Sequence, residues 1–315
     1  MRKKWIWIMS VMVLFGGIFL YYCYYCRAAF TQVRGSTLPA NAYVEEWDMV
    51  MEITDRQQAE SLGEVSAAET PSELKIFLDK QNSIRNVIVA VIDTGLDYEG
   101  FASKDRVVDV CSSQTSIRRD SSLTDRSPEA DQGTNPLADE NGHGTLLAEI
   151  IAENSGDRVK IMPIKVTDAE GKTTVAKVCQ AILDAQENGA DIINLSMNTL
   201  NSAKSGLLEV TIDQAVANGI TVVVSAGNKS TDAKDISPAN VESATVISAV
   251  DADGTFAEYS NYGDSIDYSA PGYYKGKNGT SYAAAYYSGV LAEVLSKGLE
   301  KEFLDSYAAD FGEEG

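Results

Sequence analysis

With 315 residues, 44% of them hydrophobic, the chain has apolar material for one sizeable core and length enough for an enzyme. Acidic residues outnumber basic ones 46 to 26, and the net charge of −20 repels phosphate backbones. With no basic stripe to set against that charge, nucleic acid is excluded as a partner.

At the N-terminus, Arg2, Lys3 and Lys4 precede an uncharged run of 22 residues from Trp5 to Cys26. As one helix this run reaches about 33 Å, against a hydrocarbon thickness of about 30 Å. The leading positive charge stays in the cytoplasm, and Tyr21, Tyr22, Tyr24 and Tyr25 fall where an outer aromatic belt sits. Residues 1–30 therefore read as a single-pass membrane anchor with everything after Arg27 extracytoplasmic. The alternative is a secretory signal cut near Ala28 and Ala29, although the apolar part of such signals is normally only about 7–15 residues. Both readings export the same domain. Cys23 and Cys26 lie at the membrane edge, while Cys111 and Cys179 lack metal-ligand spacing. Export permits a Cys111–Cys179 disulfide, and two separate thiols are an equal alternative.

Residues 31–85 are polar and acidic, with Glu45, Glu46, Asp48, Glu52 and Asp55 and little periodicity, and read as a spacer or short pro-region. An amphipathic helix is expected near Ser72–Asp79, with Ser72 as its N-cap. From residue 86 to 315 the pattern changes. Apolar, β-branched runs alternate with helix-length segments, as in a parallel sheet covered on both faces. Strands are expected at Val87–Ile92, Val159–Val166, Asp191–Ser196, Ile220–Ser225 and Ala244–Val250. Helices are expected at Gly144–Asn154, Thr174–Asn188, Gly206–Asn218 and from near Ser281, with Gly189 and Gly219 ending two of them. Sites in such α/β sheets sit at the carboxyl ends of the strands. Asp93 and Asn228 both follow strands there.

Three residues could carry nucleophilic chemistry. His143, the only histidine, lies between two glycines where a turn enters a helix. Asp93 sits in Ile92-Asp93-Thr94-Gly95 and Ser281 in Gly279-Thr280-Ser281-Tyr282, places where an Asx turn and an N-cap are the ordinary explanations. Together they supply a nucleophile, a base for its proton and a carboxylate to hold the imidazolium, in the chain order Asp, His, Ser. That order differs from the α/β-hydrolases and from the chymotrypsin-like enzymes.

The segments VIDTG at Asp93, NGHGT at His143, SAGN at Asn228 and NGTSYA at Ser281 resemble the subtilisin family of serine peptidases, over about Asn86–Lys297. The resemblance implies a three-layer α/β fold with a mostly parallel central sheet, and a serine endopeptidase without cofactor acting on peptide or protein. By it, Ser281 attacks the carbonyl, His143 shuttles the proton, Asp93 orients His143, and Asn228 donates to the oxyanion. Ser196, Met197 and Asn198 then line one side of the specificity pocket, and Ser225, Ala226 and Gly227 the other. Their backbones would pair with an extended substrate. Ser237-Pro238 falls where the family tends to have a cis peptide.

Three departures from the family carry expectations of their own. Asn198 stands where glycine is usual, and Ile236 where a smaller residue is common, so the pocket is expected to favour small P1 side chains. The loop Glu153–Arg158 is too short for the six or more oxygens of a calcium site. The chain also stops soon after the nucleophile's helix. The other function classes open to such a chain are a catalytically silent binding protein on the same fold and an esterase using the same triad.

Overall fold

The computed structural model describes residues 50–52, 56–57, 72–108, 137–199 and 205–305. The expected membrane segment, Cys23, Cys26 and Cys111 lie outside these residues; Cys179 is buried in the apolar core. In chain order the elements are β1 (Val50–Glu52), β2 (Arg56–Gln57), α1 (Ser72–Asp79), β3 (Val87–Asp93), α2 (His143–Glu153), β4 (Val159–Lys165), β5 (Lys172–Thr174) and α3 (Val175–Glu187). There follow β6 (Ile192–Leu195), β7 (Asn198–Thr199), α4 (Gly206–Ala217), β8 (Thr221–Ser225), β9 (Thr245–Val250) and β10 (Tyr268–Pro271). Last come β11 (Tyr273–Tyr274), β12 (Lys277–Asn278) and α5 (Thr280–Ser296), with single 3₁₀ turns at Lys104–Arg106, Ala233–Asp235 and Lys301–Leu304.

Six strands form one parallel sheet in the order β10-β9-β8-β6-β3-β4. Alternate residues of each strand point to opposite faces. Val89, Val91, Ile161, Ile192, Val223 and Ile247 join the layer beneath α1, α2 and α5. Ala90, Ile92, Met162, Ile193, Val222 and Val224 join the layer beneath α3 and α4. The expected three-layer α/β architecture is the one observed. After β3 the chain pairs β4 on one side and β6 on the other, so the winding reverses beside β3. Such a reversal opens a crevice at the carboxyl ends of the strands, and Asp93 is the last residue of β3.

The expected elements of the sheet and its covering helices appear with boundary shifts of one residue or so. Strand β3 runs one residue further than its apolar run, because Asp93 still pairs in register with Lys165. The two helix-ending glycines do take left-handed conformations, Gly189 at φ 77° and Gly219 at φ 86°. The Ser237–Pro238 peptide is cis.

The spacer departs most from its sequence expectation. The described residues of the spacer, 50–52, 56–57 and 72–85, fall in the same compact unit as the residues after 86. Helix α1 starts on Ser72 itself, so that residue lies inside the helix and does not precede it as a cap. Its Leu74 and Leu78 are buried in the core layer, and Phe77 packs on Phe303 with ring centroids 5.2 Å apart. The following turn is tied to the end of α5, where Ile84 N–H donates to the Ser296 carbonyl at 2.8 Å and Lys297 Nζ to the Gln81 carbonyl at 3.0 Å. Apolar burial thus draws this part of the spacer into the catalytic layers.

Among the described residues no helix is long and apolar enough to cross a membrane.

Candidate active site

Asp93 and His143 meet in the crevice. The Asp93 carboxylate is wholly buried, and its Oδ1 lies 2.7 Å from His143 Nδ1 while accepting the Thr94 N–H at 2.8 Å. A buried carboxylate in this position fixes the ring's rotation and favours a proton on Nδ1, leaving Nε2 as the basic nitrogen. His143 can approach so closely because it opens α2 and is followed by glycine. A Cβ on Gly144 would stand 2.5 Å from the Gly95 carbonyl and 3.2 Å from Asp93 Cβ, so any larger residue would push α2 off β3. The Gly144 N–H instead donates to Thr94 Oγ1 at 2.8 Å.

The N-terminus of α2 is held by a residue that the sequence motifs did not single out. Asp139 accepts the Gly142 N–H at 2.7 Å, the Thr145 N–H at 2.8 Å and the Thr145 hydroxyl at 2.6 Å. Burial works to raise its pKa, but hydrogen bonds from Thr145, Thr94 and Gly142 outweigh it and hold the carboxyl below its ordinary value. A lowered native pKa contributes stability above the unfolded-state value, and that contribution is lost as pH falls through the native one. The latch therefore survives mild acid. Asp139→Ala is expected to lower stability by about 1–2 kcal/mol, read by chemical denaturation, and to lower kcat by loosening His143.

The far end of α2 is anchored by Arg106, buried in the 3₁₀ turn after β3. Its guanidinium donates to the carbonyls of Ala152 at 2.8 Å, Val159 at 2.9 Å and Ser155 at 3.1 Å, and to Ser155 Oγ at 2.6 Å. Desolvation is the largest influence on its pKa and lowers it, countered by Asp157, Asp105 and Glu293. The loop Glu153–Arg158 is thus cross-linked by a guanidinium. Arg106→Ala leaves these carbonyls without partners, and a loss of about 3 kcal/mol in unfolding free energy is expected.

Ser281 is the second residue of α5 and is buried. Tyr282, the next residue, tilts against the His143 ring with centroids 6.0 Å apart, which brings the start of α5 beside the Asp93–His143 pair. The Ser281 N–H is one of the first-turn donors of α5, at the positive end of the helix dipole. Asn228 is locked to the same turn. Its Oδ1 accepts both the N–H and the hydroxyl of Thr280, each at 2.9 Å, and Thr280 Oγ1 accepts the Gly227 N–H at 3.0 Å. With the oxygen committed to Thr280, the amide orientation is fixed and Nδ2 is the end turned away from it.

Asn194 and Ser196 continue the network. Asn194 Nδ2 donates to Ser196 Oγ at 3.0 Å, Ser288 Oγ donates to Asn194 Oδ1 at 3.1 Å, and Ser196 Oγ reaches the Ser281 carbonyl at 3.4 Å. Strand β6 is thereby stitched to α5.

A family model for subtilases (peptidase S8) matches residues 85–303 of the chain. The chain belongs to the subtilase family. It is 36% identical over 140 residues to subtilisin-like protease 2 of Pseudogymnoascus destructans, covering 44% of this chain and 35% of that one. To subtilisin DY of Bacillus licheniformis it is 32% identical over 180 residues, covering 50% of this chain and 65% of the relative. The first curated relatives are each covered over less than half of their length. A solved cold-adapted subtilisin-like serine proteinase matches the fold with a TM-score of 0.52 at 24% identity, over 71% of this chain and 77% of that one.

A pocket opens beside Asn228. It encloses about 250 Å³, open mouth included, and is lined by Asn198, Thr199, Gly227, Lys229, Ile236 and Asn261 as well as Asn228. Of the residues expected to bind substrate, Asn198 and Gly227 line this pocket. Met197 and Ala226 instead point into the core under α3 and α4, while Ser196 and Ser225 are buried beside it.

Asn261 escaped sequence reasoning altogether. Its Nδ2 donates to the Ala226 carbonyl at 2.8 Å and its Oδ1 accepts the N–H groups of Lys229 at 3.0 Å and Thr231 at 3.1 Å. One amide therefore shapes the whole turn that carries Asn228. Gly227 is required there, since at φ 100° its Cβ would come within 2.5 Å of Asn261 Nδ2. The only trace in the sequence is an asparagine in the turn-rich stretch after β9.

Proposed function

We propose that the protein is a serine endopeptidase in which Ser281, His143 and Asp93 act together. The buried 2.7 Å pairing of Asp93 with His143, at the strand reversal and beside the first turn of α5, carries this reading. Ser281 Oγ adds to the scissile carbonyl carbon as its proton passes to His143 Nε2. The resulting oxyanion accepts hydrogen bonds from Asn228 Nδ2 and the Ser281 N–H, both fixed before reaction. Breakdown of the tetrahedral species breaks the C–N bond, and the amine leaves with the proton held on His143. Water then enters by the same route and releases the acid from Ser281. The relatives' names, a subtilisin-like protease and a subtilisin among them, support this chemistry.

The test is digestion of a mixture of unfolded proteins by the full chain, with cut sites mapped by mass spectrometry. Cuts in chain interiors, absent with Ser281→Ala, are expected. A folded chain that makes none contradicts the proposal and leaves a silent binding protein on the same fold.

The side chains of Asn198 and Ile236 in the pocket support a preference for small P1 residues. Replacing Asn198 by glycine is expected to raise kcat/KM on substrates with phenylalanine at P1 by on the order of tenfold, with little change for alanine at P1. Equal preference for both in the unaltered enzyme would count against this.

The same proposal places the enzyme at the outer face of the cytoplasmic membrane, held by residues 5–26, on the strength of the basic start and the uncharged run. The protein is then expected in the membrane pellet after alkaline carbonate washing. Recovery of a form shortened near Ala28 in the medium would instead identify a secreted enzyme. Peptides leaving the cell, or neighbouring ectodomains, are the substrates within its reach.

A further inference from the structure

Among the described residues that line the pocket beside Asn228, Ile236 is the single aliphatic side chain, and it stands with the amides of Asn198, Asn228 and Asn261. Two of these amides already have their oxygens engaged. Asn261 Oδ1 accepts the N–H groups of Lys229 and Thr231 while its Nδ2 donates to the Ala226 carbonyl. Asn228 Oδ1 accepts the N–H and the hydroxyl of Thr280.

Asn198 differs from both. It is buried, and its Oδ1, shut off from solvent, accepts no hydrogen bond among the described residues. Its Nδ2 lies 3.4 Å from the point where a Cβ on Gly227 would stand, so the amide reaches from the β7 wall across to the Gly227 wall. A buried amide oxygen without a donor is unfavourable, and the cost is relieved when an N–H or O–H is brought to it. Water can do this only while the pocket is empty. An apolar side chain entering the pocket would seal the oxygen off, whereas a hydroxyl or an amide takes the water's place.

We propose that the pocket selects a small P1 residue bearing a hydroxyl or a primary amide, namely serine, threonine or asparagine, whose O–H or N–H donates to Asn198 Oδ1. The proposal rests on the endopeptidase reading and adds the chemistry of the group that the pocket takes. Alanine and valine leave Oδ1 without a donor. An ionised aspartate brings acceptors only and sets its oxygens against Oδ1. Asn198 thus determines specificity through its oxygen as well as through its bulk.

The test compares peptide substrates that differ only at P1, threonine against valine, two side chains of nearly the same shape, cut by the full-length protein. The expected kcat/KM is on the order of tenfold higher for threonine, equivalent to about 1.4 kcal/mol. Asparagine is expected to exceed aspartate as well. In Asn198→Ala the advantage of threonine is expected to vanish. Equal or faster cutting after valine than after threonine, or after aspartate than after asparagine, overturns the proposal, and neither comparison requires a variant to fold. A threonine advantage that survives in folded Asn198→Ala overturns the part assigned to Asn198. If neither the threonine nor the valine peptide is cut while Ser281-dependent cuts appear elsewhere, the proposal is again overturned. If nothing is cut, the endopeptidase reading fails, and calorimetric titration of the full-length protein with peptides ending in threonine or valine decides the pocket: tighter binding of the threonine peptide supports the selection, and equal affinity, or none for either, overturns it.

Discussion

Replacing Ser281 by alanine is expected to lower kcat by on the order of 10⁶ while leaving KM within a few-fold. The expectation follows from where the side chain stands and from what surrounds it. In the proposed mechanism its hydroxyl makes the covalent bond on which both halves of the reaction depend, and alanine has no hydroxyl to make it. The backbone donors are kept, because the α5 N–H groups and the Asn228–Thr280 lock do not involve the Ser281 side chain. Residual hydrolysis by direct attack of water should therefore remain measurable over the uncatalysed rate. Alanine at position 143 is expected to do nearly as much damage. The double variant should be little worse than either single one, since residues that act as a unit are not additive. Additive losses in kcat would show that Ser281 and His143 do not act in one step.

The second large effect concerns Asn228. A leucine there is expected to lower kcat by about 10²–10³ with KM almost unchanged, a loss of about 2.7–4 kcal/mol in transition-state stabilisation. The physical reason is selectivity for the charged species. Asn228 Nδ2 is aimed by two hydrogen bonds to its own oxygen, both at 2.9 Å, so it does not reorganise as negative charge develops. A ground-state carbonyl accepts weakly from such a donor, and an oxyanion strongly. Loss of the amide also leaves the Thr280 N–H and hydroxyl without their acceptor, and the unfolding free energy is expected to fall by about 1–3 kcal/mol. Measuring kcat and KM separately distinguishes the two consequences. A rise in KM with constant kcat would show that Asn228 binds substrate and transition state alike.

Much of this site is legible in the sequence, because its parts are local. VIDTG, NGHGT and SAGN place their candidate side chains at a strand end, at a helix start and in the turn after a strand, and the glycines report close approaches that the structure explains. Gly144 touches the turn after β3, and Gly227 touches Asn261. The parallel strands are legible for a related reason: burial on both faces leaves runs such as VIVAVI, which no exposed element would tolerate.

What stayed hidden depends on partners distant in the chain. Arg106 carries no local signal, because its partners Ala152, Ser155 and Val159 lie far along the chain. Asp139 stayed hidden for another reason: its partners Gly142 and Thr145 are near in sequence, but nothing in the residues before the turn marks which carboxylate will accept their N–H groups. Strands β1 and β2, of three and two residues, are too short to show an alternation of period two. Their pairing is set by open backbone edges on β5, β7 and β12, not by their own composition. The pocket is intermediate. Asn198 and Ile236 are legible as departures from the family, and both line it, but Met197, in the link between β6 and β7, is buried in the core.

An activated Ser281 reacts with an electrophile that resembles the scissile carbonyl. The direct measurement is to treat the full-length protein with a fluorophosphonate and locate the adduct by peptide mapping. One adduct per chain is expected, on the peptide containing Ser281, with its loss or severe slowing when His143 is replaced by alanine. An unmodified Ser281 in folded, full-length protein, or labelling that proceeds equally well without His143, would contradict it.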